Sequence, residues 1–549
     1  MKKMKKIVSL LLAMMMVFAM SATAFAADGD EPPYSITINN DKDGHIYEAY
    51  QIFTGDLSEK ENVKVLSNIV WGTGISTEGQ SKLLKFGKTG EDVFANAAKL
   101  AASLNDDNAV DFANEAAKYL ATVAGTSTQS GETYVISGLT AGYYLVKDKN
   151  NSLDNANDSY TNYIIKVVGN AEASPKGSIP TVVKKVQEDD KTVTGTTDNR
   201  IPNYNLGEKY NDVADYNIGE AVPFKLIGTL PSNYADYTEY KYVFHDTLSA
   251  GLAYNGDAKV YVDNGNGTDL DEITSNFTIT PAEKQTTGGG TLTITFDNLK
   301  AVTSVSATSK IVVKYTATLT DEAEIGLNGN ENEVYLQFSN NPNADGSGDT
   351  GNTPIDKVIV FTYGLDVTKV AADNNEAKLE GAEFKLLNSA QSQAANVVGG
   401  KFVGWVEVSR GTVLTSNAQG EFVIEGLDAG TYYLEETKAP VGYNLLEAPI
   451  KLVITANTVN NQAWDGTPGN AFVQSDELNK LEITVGEGQK AKTEAGNVST
   501  GIVNVTVENN KGATLPSTGG MGTTLFYVAG LTMMFTAAGA FVARRRMAF

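Results

Sequence analysis

Three residues that could form an amide crosslink stand at predicted core positions in the last third of the chain. Successive side chains of a β-strand point to opposite faces, so residues two apart share a face. By this rule each of the three continues the apolar face of its strand, where an unpaired charge is costly to bury. The residues and their predicted strands are Lys369 on 365–370, Glu436 on 432–436 and Asn509 following 502–507.

Burial offers such a trio a specific chemistry. Loss of water lowers the pKa of a lysine and raises the pKa of a carboxyl group, which leaves a neutral amine beside a protonated acid. The amine attacks the carboxamide carbon of the asparagine, while the acid polarises the carbonyl group and relays protons. Ammonia leaves and an amide crosslink remains. The alternative for each residue, taken singly, is an exposed strand end or a local hydrogen bond.

The middle third of the chain places a second lysine and a second asparagine on predicted core faces. Lys184 continues the apolar face of the strand predicted over 182–186, with Lys185 as the alternative lysine. Asn340 continues the face of the strand predicted over 333–338. The alternatives to Asn340 are Asn341 and Asn332.

Strand-like segments and polar linkers divide the chain into three β-rich domains. Short runs of alternating β-branched and aromatic residues, separated by Gly, Asn and Asp turns, are typical of β-sandwiches. Linkers rich in Pro, Gly, Ser and Asn mark the boundaries. The predicted fold class is mainly β, with three tandem β-sandwich domains at 27–178, 179–345 and 346–512.

The first domain also contains a predicted helical insertion. Apolar residues recur at helical spacing between Glu91 and Ala124, in Ala-rich sequence.

The segment 426–434 in the last domain repeats the sequence pattern of 138–145 in the first domain. This internal repeat indicates related sandwich modules at both ends of the chain.

Charge and composition exclude several classes of function. The chain has 43 basic and 66 acidic residues, and without its two end segments it retains 36 basic residues and a net charge of −30. This sign argues against nucleic-acid binding. Cys is absent, so neither disulfides nor a thioester reinforces the protein. Neither His45 nor His245 lies in a metal-spaced cluster, and no nucleophile elbow or phosphate loop is present. We therefore expect no metal, no cofactor and no enzyme.

Both ends of the chain carry targeting sequences. Residues 1–26 combine four lysines, an apolar stretch over 7–20 and a small-x-small site over 24–26, as in a cleaved signal peptide. Near the other end, the apolar segment 525–542 is about long enough to cross a bilayer. The arginines at 544–546 keep that end in the cytoplasm.

A pentapeptide of the form Leu-Pro-x-Thr-Gly precedes the apolar span. Its residues are Leu515, Pro516, Ser517, Thr518 and Gly519. Pentapeptide, span and basic tail together resemble the sorting signal of Gram-positive wall proteins, which the membrane transpeptidase sortase cleaves between Thr and Gly. The resemblance implies a secreted protein cleaved after Thr518 and joined to peptidoglycan, with 513–549 as its sorting signal. The alternative is a plain C-terminal membrane anchor.

The last domain resembles the Cna-B or SpaA-like, prealbumin-like modules of Gram-positive pilins and adhesins. The segment 432–443 matches their Tyr-x-Leu-x-Glu-Thr-x-Ala-Pro-x-Gly-Tyr box, and 367–384 is similar to their opening strand. In that family the glutamate of the box, here Glu436, catalyses a spontaneous isopeptide bond between a lysine and an asparagine. The resemblance implies a bond between Lys369 and Asn509.

The middle domain is similar to the Ig-like middle domain of SpaA-type backbone pilins. The segment 242–252 resembles the one that carries their catalytic acid. The resemblance implies that Asp246 acts on Lys184 and Asn340. The first domain departs from the pattern, because Lys147 stands at the position that matches Glu436 and Asp148 lies one residue further on.

Lys176 is the predicted acceptor for polymerisation. In backbone pilins a lysine in a Pro-Lys motif, at the end of the first domain, accepts the sorting signal of the next subunit. Pro175 and Lys176, with Lys176 eight residues before Lys184, occupy this place. Tyr does not precede the Pro and Asn does not follow the Lys, so the match is partial. The alternative is an ordinary solvated linker lysine.

These observations predict a structural major pilin that sortase joins from Thr518 to Lys176 of the next copy, forming a wall-attached fimbria that supports adhesion. The predicted partners are sortase, further copies of the chain, peptidoglycan and minor pilins, with no nucleic acid. The alternative function is a monomeric wall-anchored adhesin that binds host matrix or glycans. Polymer formation needs Lys176, whereas the adhesin does not.

Overall fold

The computed structural model describes residues 33–60, 63–105, 108–153, 156–175, 178–189, 198–268, 270–342, 349–458, 478–512 and 522–546. The predicted signal peptide (1–26), Lys176 and the pentapeptide 515–519 with Thr518 lie outside these residues. The described chain is mainly β, as the sequence predicts, and its strands form three groups of sheets.

The first domain is a two-sheet sandwich with a helical segment. Its strands are β1 Tyr34–Asn39, β2 Tyr47–Lys60, β3 Val63–Trp71, β4 Gly125–Thr126, β5 Thr128–Ser130, β6 Thr133–Leu139, β7 Gly142–Asp148, β8 Asn162–Val167 and β9 Ala171–Ala173. Between β3 and β4 lie the helices α1 Thr77–Leu83, α2 Ala97–Ala101 and α3 Ala109–Ala117. One sheet has the order β5-β6-β1-β9 and the other β3-β2-β7-β8, with β4 paired to β2.

The helices cover the outer face of the second sheet. Leu100 and Phe112 are fully buried there, and the ring of Phe112 stacks 5.9 Å from that of Phe53 in β2. The first half of β2 and most of β7 are therefore buried on both faces. The predicted helical region contains α2 and α3, whereas α1 precedes it. Only Gly79 and Leu83 of α1 are buried, so its sequence lacks an apolar period.

The middle domain is a sandwich of two sheets around one large core. Its strands are β10 Val182–Gln187, β11 Tyr210–Asn211, β12 Val213–Asp215, β13 Ala221–Gly228, β14 Tyr242–Leu248, β15 Leu252–Tyr254, β16 Lys259–Asp263, β17 Leu270–Glu272, β18 Thr278–Thr280, β19 Gly290–Phe296, β20 Lys310–Leu319, β21 Asn330–Ser339, β22 Thr350–Asn352 and β23 Asp356–Phe361. Short 3-10 turns occupy Tyr234–Asp236, Thr274–Asn276 and Leu299–Ala301. The first sheet has the order β11-β10-β13-β20-β16-β17, with β15 on β20. The second has the order β12-β23-β21-β14-β19-β18, with β22 on β21.

The predicted end of the middle domain at 345 is wrong. Strands β22 and β23 both pair antiparallel with β21, so they complete the second sheet of the middle domain. Val358 and Val360 are fully buried in its core. The polar sequence before β22 suggested a linker, but the chain returns to the sheet after it. The middle domain therefore extends through Phe361, and β21 is not its last strand.

The last domain folds one continuous strand path around a single core. Its strands are β24 Tyr363–Ala371, β25 Asn374–Lys378, β26 Glu383–Leu387, β27 Gln393–Val398, β28 Lys401–Glu407, β29 Leu414–Thr415, β30 Glu421–Leu427, β31 Gly430–Lys438, β32 Ile450–Thr458, β33 Leu478–Val485, β34 Lys492–Ala495 and β35 Ile502–Asn509. Short 3-10 turns occupy Val408–Arg410 and Gly488–Lys490. The path runs β25-β24-β30-β28-β27-β26-β31-β32-β33-β34, with β29 on β26 and β35 on β24.

The first and last strands of this domain lie side by side. Strand β24 pairs parallel with β35 from Gly364 opposite Ile502 to Ala371 opposite Asn509. Every second residue of β35 from Val503 to Asn509 is buried, which is the alternation that the sequence predicts. Both termini of the domain therefore leave from neighbouring strands.

A single long helix, α4 Gly522–Arg546, follows the last domain. Its stretch Phe526–Arg545 is long and apolar enough to cross a membrane, and none of it is buried against the rest of the described chain. This helix contains the predicted span 525–542 and the three arginines that follow it.

The revised boundary can be tested with two fragments of the middle domain, residues 178–361 and 178–345. The longer fragment should be more stable by about 3 kcal/mol or more, because burying each of Val358 and Val360 stabilises by roughly 1.5–3 kcal/mol. Urea unfolding followed by circular dichroism measures the difference. Equal stability of the two fragments would place β23 outside the domain.

Candidate crosslinking sites

The last domain brings Lys369, Glu436 and Asn509 into direct contact. Lys369 Nζ donates to Asn509 Oδ1 and, over 3.3 Å, to the carbonyl oxygen of Val507. Glu436 Oε1 lies 3.6 Å from the same nitrogen. Asn509 Nδ2 donates to both carboxylate oxygens of Glu436, at 2.9 and 3.0 Å. The amine, the carboxamide and the acid thus meet as a closed triad.

The positions of these side chains follow from strand pairing. In the parallel pair of β24 and β35, Lys369 stands opposite Val507. Asn509 follows Val507 by two residues on β35, so it lies on the same face as Val507. Glu436 comes from β31 and is held from behind by the backbone N–H of Leu446, which donates to Oε2 over 2.9 Å. Asn509 Nδ2 also donates to the carbonyl oxygen of Asn444 over 2.9 Å. The loop after β31 therefore fixes both the acid and the carboxamide.

Water is excluded from this site. Lys369 is 0% exposed, Asn509 1% and Glu436 5%, and the ring of Phe384 lies 5.9 Å from Nζ. Burial lowers the pKa of Lys369 to about 8, while the nearby Glu436 acts in the opposite direction. The neutral fraction of this amine at pH 7 is on the order of a few hundred times that of a free lysine. A nucleophilic amine is therefore available beside an amide carbonyl group.

The middle domain contains a second lysine and a second carboxyl group that are buried away from water. Lys184 of β10 donates through Nζ to Asp246 Oδ2 of β14, and both residues are 0% exposed. Burial lowers the pKa of Lys184 and raises the pKa of Asp246. Tyr315 of β20, which sequence reasoning missed, lies 3.1 Å from Lys184 Nζ through its hydroxyl oxygen.

The asparagine beside this pair is Asn332, and the structure corrects the prediction of Asn340. Asn332 is fully buried, and its Nδ2 donates to the hydroxyl oxygen of Tyr315 over 2.7 Å. Within the described residues its Oδ1 accepts no hydrogen bond. In the pairing of β14 with β21, Asp246 faces Val334, which places Asn332 at the adjacent position on the same face.

Asn340 directly follows β21, at the end of the strand away from Asn332, and it contacts the first domain instead of Lys184. It follows Val334 by six residues, which corresponds to roughly 20 Å along a strand. Its Nδ2 donates to the carbonyl oxygens of Leu153 and Asp158 in the first domain, over 2.9 and 3.2 Å. Asn341 donates to Asp349 and is likewise outside the site. Asn340 therefore joins two domains and does not approach Lys184.

Lys185, the alternative lysine, points away from the core site. Its Nζ pairs with Asp212 and lies 2.9 Å from Asp198 Oδ2. Burial alone would lower its pKa, but the carboxylates around it, led by Asp212, raise the pKa above the ordinary value. Lys185 is therefore held as a cation, whereas Lys184 on the opposite face is the amine that burial favours in its neutral form.

The first domain uses the corresponding positions differently. Lys147 donates to Asn150 Oδ1 over 2.5 Å. Asp148 binds His45 Nδ1 at 2.7 Å, and the other ring nitrogen of His45 lies 3.1 Å from Asp158. Burial opposes protonation of this ring, but the two carboxylates outweigh it and raise the pKa of His45 to about 9. Asp148 is therefore committed to an ion pair with histidine.

The described residues on either side of Lys176 anchor the linker. Strand β9 ends at Ala173, and Ser178 Oγ accepts a hydrogen bond from the backbone N–H of Ser232 over 2.8 Å.

Across the described ranges, no group of three or more His, Cys, Asp or Glu residues is arranged to hold a metal ion.

Comparisons with known proteins agree with this architecture. Residues 364–467 match the SpaA family, described as a prealbumin-like fold domain, and residues 507–548 match the LPXTG cell wall anchor motif. The first match begins one residue after the start of β24. The chain is 25% identical over 484 residues to the trypsin-resistant surface T6 protein of Streptococcus pyogenes serotype M6, which covers 79% of this chain and 80% of the relative.

A solved structure shares the fold over most of the chain. The T6 backbone pilin of serotype M6 Streptococcus pyogenes, described as a modular three-domain structure, aligns with a TM-score of 0.51 and 15% identity. The alignment covers 89% of this chain and 100% of the pilin. The chain is thus a surface protein with an LPXTG cell wall anchor and a SpaA-type prealbumin-like domain. Together the matches show a cell wall anchor at the end of the chain and a fold shared with the solved pilin.

Proposed function

We propose that this protein is the major structural subunit of a sortase-assembled pilus. Each copy is joined through Thr518 to Lys176 of the next copy, and the fibre is attached to the cell wall and supports adhesion. The observation that carries the proposal is the buried contact of Lys369, Glu436 and Asn509 in a chain with a cell wall anchor. A fibre subunit without cysteines needs another covalent reinforcement, and this contact supplies it.

The reinforcement forms by transamidation inside each subunit. The lone pair of Lys369 Nζ attacks Cγ of Asn509, and the bond from Cγ to Nδ2 breaks. Glu436 lies beside both nitrogens, so it can take the proton that Nζ loses and deliver one proton to Nδ2, which leaves as ammonia. In the middle domain, Lys184 and Asn332 form the corresponding bond beside Asp246. No external enzyme or cofactor enters either step.

The positions of the two bonds suit a protein under tension. A bond from Lys369 to Asn509 ties strand β24 to strand β35, across 140 residues of chain. By analogy with disulfides that close loops of this length, each bond opposes unfolding by about 5 kcal/mol. Pulling force that enters through β24 then leaves through β35 without passing along the domain between them.

A monomeric wall-anchored adhesin is the alternative function, because it would need the same anchor and the same internal bonds. Only the pilin needs an accessible amine for the acyl group of the next subunit. Lys184 and Lys369 are fully buried, so neither can serve an external enzyme. The sequence places Lys176 in a segment rich in Pro, Gly and Ser, and such segments are expected to be surface loops that an enzyme can reach.

Intact mass spectrometry of the purified ectodomain tests the bonds. Each bond lowers the mass by one ammonia, about 17 Da, so two bonds lower it by about 34 Da. Glu436→Gln, which keeps the shape of the side chain but removes the acid, should restore about 17 Da and cost about 5 kcal/mol of stability. The neighbouring Glu435→Gln is the matched control and should keep both losses. A wild-type ectodomain of unmodified mass would refute the scheme.

The choice between the two asparagines gives a separate test. Asn332→Ala should restore one loss of about 17 Da, because it removes the only carboxamide beside Lys184 among the described residues. Asn340→Ala should leave the mass loss intact, since its contacts are with the first domain. Peptide mapping should find Lys184 joined to Asn332. Recovery of a peptide that joins Lys184 to Asn340 would contradict the assignment.

Polymerisation is tested in cells that express the matching sortase. Lys176→Ala should abolish the ladder of detergent-resistant polymers, while monomer expression, wall anchoring and both internal bonds remain. Lys185→Ala is the control and should keep the ladder. Mass spectrometry of wild-type polymer should find Thr518 joined to Lys176. A ladder that survives Lys176→Ala would show that Lys176 is not the acceptor lysine. A wild-type protein that forms no ladder would favour the monomeric adhesin.

A further inference from the structure

The hydroxyl group of Tyr315 touches all three reacting groups of the middle-domain site. It donates to Asp246 Oδ1 over 2.8 Å, and it accepts from Lys184 Nζ over 3.1 Å and from Asn332 Nδ2 over 2.7 Å. Its ring stacks 5.3 Å from that of Phe224 and meets Tyr254 edge-on at 5.9 Å. Tyr315 is therefore a buried side chain whose oxygen is held at the centre of the site.

The last domain has no such bridge, and the difference lies in the length of the acid. Glu436 reaches Asn509 Nδ2 directly with both carboxylate oxygens. Asp246 is shorter by one methylene group, and in the described structure no hydrogen bond joins it to Asn332. The hydroxyl of Tyr315 fills this gap, because it bonds to the acid on one side and to the amide nitrogen on the other.

We propose that Tyr315 is a catalytic residue of the middle-domain crosslink and passes a proton from Asp246 to the leaving nitrogen of Asn332. This inference rests on the proposed bond between Lys184 and Asn332. It assigns to the pair of Asp246 and Tyr315 the role that Glu436 alone fills in the last domain.

The relay balances in protons and electrons. The lone pair of Lys184 Nζ forms the bond to Cγ of Asn332, and the electron pair of the bond from Cγ to Nδ2 leaves with the nitrogen. Asp246 Oδ2, which already contacts Nζ, takes one proton from it. Asp246 Oδ1 gives its proton to the oxygen of Tyr315, and Tyr315 gives its own proton to Nδ2. Ammonia departs, and both Asp246 and Tyr315 end as they began.

The buried surroundings favour this proton relay over a mechanism that would leave Asp246 or Tyr315 charged. Burial raises the pKa of Asp246 and of Tyr315, which favours the protonated form of both groups in this water-free site. A concerted relay leaves neither group charged when the reaction ends. With the proton on Asp246 Oδ1, the same 2.8 Å contact carries it toward Tyr315.

The test uses the complete ectodomain with Tyr315→Phe, which keeps the ring and removes the relay. The wild type should lose about 34 Da, and the variant only about 17 Da when first purified, because the middle-domain bond should form about 10²–10⁴ times more slowly without the proton donor. The bond between Lys369 and Asn509 is the internal reference in the same molecule. Tyr254→Phe is the matched control, since it removes another buried hydroxyl from the same core and should keep both losses.

A second variant separates proton transfer from packing. In Asp246→Glu combined with Tyr315→Phe, the longer acid should reach Asn332 Nδ2 by itself and restore the second loss of about 17 Da. A folded double variant that stays uncrosslinked in the middle domain would contradict the relay, as would full and rapid crosslinking of Tyr315→Phe alone. A wild type that joins Lys369 to Asn509 but leaves Lys184 free would refute the middle-domain bond itself, and with it the basis of this inference.

Discussion

The structure depends above all on two lysines that are buried without water. Lys184 and Lys369 are both 0% exposed, and each lies against a buried carboxyl group. Lys369 also contacts the carboxamide of Asn509, whereas Lys184 shares the hydroxyl of Tyr315 with Asn332. An uncompensated ammonium in such a place costs several kcal/mol, so these positions are tolerable only with their partners. The same desolvation favours the neutral amine and so makes the lysine a nucleophile. A feature that would weaken an ordinary core is, in the proposed function, the source of a covalent bond.

The two sites reach this result with different geometry. In the last domain, lysine and asparagine stand on neighbouring parallel strands of one strand path, and a bond closes the domain at its two termini. In the middle domain, Lys184 lies in one sheet and Asn332 in the other, so a bond crosses the core of the sandwich. Crossing the core requires a longer chain of contacts, and Tyr315 takes part in it. The first proposed bond would join two neighbouring strands, and the second would join the two sheets of the sandwich.

Buried residues at the junctions between domains pack into the cores of the domains on either side. Strand β23 of the middle domain and β24 of the last domain are separated only by Thr362, which is itself fully buried. Ile359 and Phe361 of β23 pack into the core of the last domain, while Val358 and Val360 pack into the middle one. One strand thus serves two cores on its two faces, and bending at this joint would expose apolar surface of both.

The first joint depends on Asn340. The backbone N–H of Tyr160 donates to its carbonyl oxygen over 2.8 Å, and its side chain donates to carbonyl groups of the same first-domain loop. That loop is held in turn by Asp148 and Asp158, both of which bind His45. A buried asparagine at a strand end therefore has two physical explanations, crosslinking or capping a neighbour's backbone, and only the surroundings separate them.

The sequence by itself determined whatever follows from alternation within one strand. Lys369, Glu436 and Asn509 were assigned to core faces because residues two apart on a strand share a face, and the structure buries all three. The same rule favoured Lys184 over Lys185. The sequence also predicted the mainly β class and a helical insertion between Glu91 and Ala124, the region in which α2 and α3 lie, because these periodicities are local.

Tertiary structure decided what depends on register between strands. Asn332 lies on β21 and Asn340 follows it directly, and an even number of residues separates them, so alternation could not choose between them. The choice came from the pairing of Asp246 with Val334. Tyr315 was missed for the same reason, since its strand looks like any other core strand until the opposite sheet is in place. The polar stretch before β22 predicted a boundary at 345, but hydrogen bonds to β21 carry the middle domain on to Phe361. Alternation is encoded along the chain, whereas register exists only between segments that folding brings together.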